Sequence, residues 1–120
     1  MEESILKLAG DITTEVLEID SEKRLTIHLA AVFANNFTNH MVHIGQRILR
    51  ENSFTVKLLD PIIEETFCKI GRVGADAAQT GPALRKDHIT IQKHLELLKD
   101  HPEWEKIYTF ISRDIGNTRE

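Results

Sequence analysis

Cysteine, tryptophan and tyrosine each occur once in this sequence, and proline only three times. A lone Cys68 excludes an internal disulfide and any cysteine-built zinc finger. As a small apolar residue near a helix end, it is expected in the core. No apolar run approaches the ~20 residues needed to span a bilayer. No block of basic residues stands out, and 15 Lys and Arg against 19 Asp and Glu leave a net charge of −4, which argues against a nucleic-acid partner. Glu2 and Glu3 stand where a secretory leader would be basic, so a cytoplasmic protein is expected. Neither a Gly-x-Gly-x-x-Gly nor a Walker-type loop occurs, so nothing here cradles a pyrophosphate. Serines, histidines and acids are scattered without a nucleophile motif.

What is present is an ordinary globular composition, 41% hydrophobic and 28% charged, with one dominant stretch from Ser21 to Asn52. It holds no proline and a single glycine, Gly45. Leu29, Phe33, Phe37, Met41, Ile44 and Ile48 recur at three- and four-residue steps, which places them on one side of a helix. His28, Asn35, Asn39 and Gln46 form a second side, with Asn36, His40, His43 and Arg47 beside it. Ala31, Ala34, Thr38 and Gly45 form a strip of small residues. Asp20 or Ser21 suits the N-cap, and Asn52 and Ser53 suit the end. At 1.5 Å per residue the helix would be roughly 45 Å long. So many distinct faces call for neighbours on several sides, some from another chain.

Around this element the spacing predicts a short helix over 2–11 and a strand over 13–19, for which no second convincing strand exists to pair. A helix is expected over 54–70, with Pro61 early, Asp60 as a possible N-cap and Gly71 at its left-handed end. A short helix should follow around Gly74. Gly81-Pro82 then forbids continuous helix, and Asp87 caps a helix over 88–99 with Ile89, Ile91, Leu95, Leu97 and Leu98 inward. Pro102 opens the last helix, 102–115, which packs Trp104, Ile107, Tyr108, Ile111 and Ile115. The expected fold is all-α: a helical bundle built on one long helix, about 21–52, behind an orphan helix–strand piece.

Two constellations rise above this background. Asn35, Asn36, Asn39 and His40 crowd mid-helix, although Asn is a poor helix former because its side chain competes for backbone hydrogen bonds. Such a group suits a small polar ligand or a bridge to another helix, or it is a solvated face. The second is Gln79–Asp87, where a Gly-Pro turn exposing Thr80 and Arg85 could hold a carboxylate or phosphate, or merely connect two helices. His40 and His43 have a metal-compatible spacing, but no further ligand accompanies them, so no metal site is expected.

AAVFANNFTNH (30–40), LLDPIIEET (58–66) and above all AQTGPALRKD (78–87) resemble the C-terminal half of a family of NADP-dependent oxidoreductases, catalogued as domain of unknown function 2520. That family is similar to pyrroline-5-carboxylate reductase, ketopantoate reductase and the 6-phosphogluconate dehydrogenase group. The resemblance implies an N-terminal Rossmann domain that binds NADP and an all-α C-terminal domain that dimerises and lines the substrate cleft. Residues 1–20 would be the end of that Rossmann domain, which explains the orphan strand, and 21–120 the helical dimerisation and substrate domain. Asn35, Asn39 and His40 would face the cleft, with Thr80, Gly81 and Arg85 closing it from the loop. Relatives often carry Lys-x-x-x-Asn on this helix. Here Ala31 precedes Asn35 by four and Asn35 precedes Asn39, so the amides resemble the Asn pair of ketopantoate reductase while the catalytic residue stays unassigned.

The expected function is therefore the dimerisation and substrate-lining half of such an enzyme. It would use NADP only in the full-length protein, pair with itself through the long helix, act on a small-molecule substrate, and touch neither membrane nor nucleic acid. The alternative, from another class, is a free-standing helical protein–protein interaction module.

Overall fold

The computed structural model describes residues 20–118. Among them there is no strand, and the fold is all-α. The helix over 2–11 and the strand over 13–19 lie outside the described residues, and so does the remnant domain 1–20 apart from Asp20. The chain divides into two compact units, one up to Val56 and one from Lys57.

The first unit is the long helix. It runs as α1 (Ser21–Ala31), a π-helical turn (Val32–Phe37) and α2 (Thr38–Glu51). Asp20 caps its start, its carboxylate accepting from the Lys23 amide at 2.9 Å. The helix stays continuous across the π turn, where the Thr38 hydroxyl donates to the Phe33 carbonyl, five residues back, at 3.4 Å. α2 ends in a Schellman motif: the Ser53 amide donates to the Arg50 carbonyl (3.1 Å) and the Phe54 amide to the Leu49 carbonyl (2.9 Å). Ser53 occupies the left-handed position, φ +63°, that glycine usually fills. Asn52 adds a side-chain bond to the Ile48 carbonyl at 2.8 Å.

The second unit starts as a 3-10 turn (Val56–Leu59) that leads into α3 (Asp60–Val73). The helix predicted from residue 54 thus begins later. Leu59 stands at its N-cap position without a side-chain bond, and Pro61 sits in the first turn as expected. α3 also runs through Gly71. Gly74 is the residue with positive φ (+84°) that ends it, its amide bonded to the Ile70 carbonyl at 2.9 Å. A short α4 (Ala75–Ala78) follows, then α5 (His88–Leu97) and α6 (Pro102–Thr118).

α5 and α6 are joined by chemistry as well as packing. The His94 Nδ1 and Tyr108 hydroxyl lie 2.7 Å apart, their rings edge-on at 5.7 Å, and burial pushes the Tyr108 phenol up from its ordinary pKa. His101 stacks on Trp104 at 4.0 Å just before and within α6. Leu98 (8% exposed) and Ala83 (9%) are the buried apolar residues among those described. Of the residues expected inward on α5, Leu98 is buried whereas Ile89 and Leu97 point out, because they fall on the opposite side of the helix from Ile91, Leu95 and Leu98. Cys68, expected in the core, is free and exposed, since a small apolar residue is buried only where a neighbour covers its side of the helix.

Ser53→Gly is expected to raise stability by about 1 kcal/mol, since the left-handed conformation costs a side-chain-bearing residue that much. A chemical-denaturation midpoint measures it, and an unchanged or lower midpoint would contradict the motif.

Candidate functional site

The long helix places Asn35, Asn39 and His40 on its surface, Asn35 inside the π turn and the other two in the first turn of α2. All three are exposed, and Asn36 is half-buried. No hydrogen bond among the described residues engages the Asn35 or Asn39 carboxamide. Each therefore presents both a donor and an acceptor. His40 and His43 face each other at 5.9 Å between ring centroids, tilted by 32°. No third metal-ligating side chain joins them among the described residues. On another side of the same helix Phe33 and Phe37 pack edge to face at 5.0 Å and remain largely open.

The Gln79–Asp87 loop, in the second unit, has its own internal logic. Gly81 takes φ +105°, and Pro82 then starts a single helical turn. That turn closes as another Schellman motif: the Lys86 amide donates to the Ala83 carbonyl (3.3 Å) and the Asp87 amide to the Pro82 carbonyl (2.9 Å), with Lys86 left-handed at φ +56°. Asp87 serves both sides. Its amide closes the turn behind, while its carboxylate accepts from the Thr90 amide (3.1 Å) and hydroxyl (2.7 Å) and so caps α5. Those two bonds hold the Asp87 carboxyl below its ordinary pKa, with smaller help from Arg85 and Lys93. Gly81 and Asp87 are thus accounted for by chain reversal. Thr80 and Arg85 keep exposed polar tips, and the Arg85 guanidinium sits 4.0 Å from Asp87.

Thr80 and Gln79 also line a groove of about 240 Å³ along α3 and α4, floored by Ile62, Ile70, Ala75 and Ala78. The structure brings Asn35, Asn39 and His40 together on one helix, and Thr80, Gly81 and Arg85 together on one loop. Sequence reasoning missed the π turn and the lone turn 82–86. The first had a signal in the unbroken four-residue spacing of Leu25, Leu29, Phe33, Phe37 and Met41, which a 3.6-residue helix cannot keep in line.

These features define an all-α domain led by a long helix, with amide-rich and apolar faces both left open. The chain belongs to the family described as Domain of unknown function (DUF2520), which it matches over residues 1–115. It is similar to the crystal structure of a "putative NADP oxidoreductase" from Bacteroides fragilis, with a TM-score of 0.80 and 40% sequence identity over 82% of this chain. The match covers 38% of that protein's chain, so this chain spans about two fifths of its length. No curated protein matches.

A helix N-terminus receives phosphate through free amides and a positive dipole end. Here one first-turn amide of α1, that of Lys23, donates to the Asp20 carboxylate, and one of α5, that of Thr90, to the Asp87 carboxylate. α3 and α6 open with acids, Asp60 in one and Glu103 and Glu105 in the other. No described helix is long and apolar enough to cross a membrane.

Two outcomes are expected. Asn35→Ala and Asn39→Ala should each stabilise the helix by about 0.5 kcal/mol, because alanine is the better helix former. Thermal unfolding reads this, and destabilisation would mean that the amides serve the fold. Asp87, with its depressed pKa, stabilises fully above the ordinary carboxylate range and loses that contribution as pH falls through its lowered value. Asp87→Ala should therefore lower the melting midpoint at neutral pH and flatten its decline with acid.

Proposed function

We propose that this chain is the helical dimerisation and substrate-lining domain of a Rossmann-type NADP-dependent oxidoreductase. The observation that carries the reading is the likeness, at 40% identity, to two fifths of an oxidoreductase whose name includes NADP. In this reading the nucleotide is held elsewhere, by a Rossmann domain whose end residues 1–20 form. Asn35 and Asn39 hydrogen-bond a carbonyl or hydroxyl of the substrate, and His40 adds a third polar contact beside them. Thr80, Gly81 and Arg85 are a second substrate-facing group, with the Arg85 guanidinium suited to a carboxylate or phosphate. The apolar side of the long helix pairs with that of a second copy. No lysine stands where the relatives' catalytic Lys would be, so the proton donor is not among these assignments.

A second reading has an observation of its own. Among the described residues fifteen large apolar side chains are exposed, more than a domain with a single substrate face requires, which suits a free-standing interaction module.

NADPH oxidation separates the two. The 120 residues alone are expected to oxidise none. The protein carrying an in-frame Rossmann domain ahead of them should oxidise NADPH in a screen of carbonyl substrates. Asn35→Ala with Asn39→Ala should then cut kcat/KM at least tenfold without lowering the melting midpoint. Turnover by the 120 residues, or a gene with no Rossmann segment upstream, would defeat the oxidoreductase reading.

A further inference from the structure

The π turn lies where the spacing of apolar residues departs most from a helical period. Leu25, Leu29, Phe33, Phe37 and Met41 are each four residues apart. In a 3.6-residue helix every such step overshoots a full turn by about 40°, so this run would wind about 160° around the rod. Four successive overshoots would split the stripe between two sides. A π turn holds one residue more than the α turn it replaces, and so takes up about 100° while the helix beyond it stays regular. Val32–Phe37 is that turn, and it falls in the middle of the run. With it, the stripe from Leu25 through Ile48 lies within roughly 70° of arc. Asn35 and Asn39 fall into one row on the opposite side, a few degrees apart instead of about 40°.

We propose that the π turn is a phase corrector: it straightens the apolar stripe into a single seam for a second copy of the same helix, and turns the Asn35–Asn39 row directly away from that seam. This rests on the self-pairing proposed above. Length and area name the occupant. The exposed seam from Leu25 to Ile48 runs about 35 Å. The next longest uninterrupted helix described here, the 17 residues of α6, reaches only about 25 Å. Leu25, Leu29, Phe33, Phe37 and Ile48 are 69, 59, 62, 48 and 37% exposed. At roughly 100 Å² each they offer about 500 Å² per copy, so two copies reach the ~1,000 Å² that a specific interface needs. A straight seam meets its own copy along its whole length, whereas a wound one would diverge from it after two turns.

One-residue changes of opposite sign test this. Deleting Ala34 lets the turn become regular α-helix with the seam still aligned, because Leu29 and Phe37 then stand seven apart. Inserting an alanine after Ala34 adds a residue the turn has already absorbed once, and swings the two halves of the seam about 100° apart. Sedimentation of the 120-residue chain should show a wild-type dimer at micromolar concentration. The deletion should stay within threefold of its dissociation constant, and the insertion should weaken it at least tenfold. Circular dichroism should show undiminished helix for the deletion. A monomeric wild type would overturn the self-pairing reading itself. A dimeric wild type whose two variants respond alike, or a deletion that loses helix or association, would overturn the phase-corrector role alone.

Discussion

The governing constraint is an apolar stripe along the long helix that stays exposed among the described residues. Leu25, Leu29, Phe33 and Phe37 remain about half exposed or more, and among the described residues only Ala83 and Leu98 are buried. Burying one large apolar side chain is worth about 1.5–3 kcal/mol. Ordering a residue's backbone costs about 1–2 kcal/mol. A helix of this length with its apolar side in water gives back most of what its hydrogen bonds gain. A second surface over that side would therefore add to its stability.

The second unit is held differently. Its turns are fixed by backbone bonds and caps. Gly74 ends α3, Lys86 and Asp87 close the turn after Pro82, and Asp87 reaches forward into α5. Where α5 and α6 meet, the His94–Tyr108 pair adds direction to the contact around Leu98. The most distinctive stretch of the sequence, QTGPALRKD, thus serves chain reversal first. Thr80 and Arg85 are its two side chains left over for recognition.

The same local chemistry narrows what the chain can bind. Helix starts attract anions, and here an aspartate caps α1 and α5 through one amide each, while α3 and α6 carry acids in their first turns. Carboxamides in mid-helix do the reverse: they weaken the helix slightly and leave donors and acceptors unspent. A surface of that kind suits an uncharged polar group, which fits the proposed division of labour between a nucleotide-holding half and a substrate-lining half.

Sequence alone determined the all-α class, the Asp87 cap and the opening of α6 at Pro102, and narrowed the N-cap of the long helix to Asp20 or Ser21, since each depends on a few neighbouring residues. It also identified the family, through residues whose spacing is local. It misread Gly71 as the end of α3, because either glycine could close the helix and only the turn into α4 selects Gly74. It placed Ile89, Leu97 and Cys68 inside, because hydrophobicity says which residues prefer burial and not whether a neighbour is there to bury them. The π turn was decided at the tertiary level for a related reason. Four-residue spacing hints at such a turn but is also compatible with a winding stripe, and the structure has the π turn at Val32–Phe37.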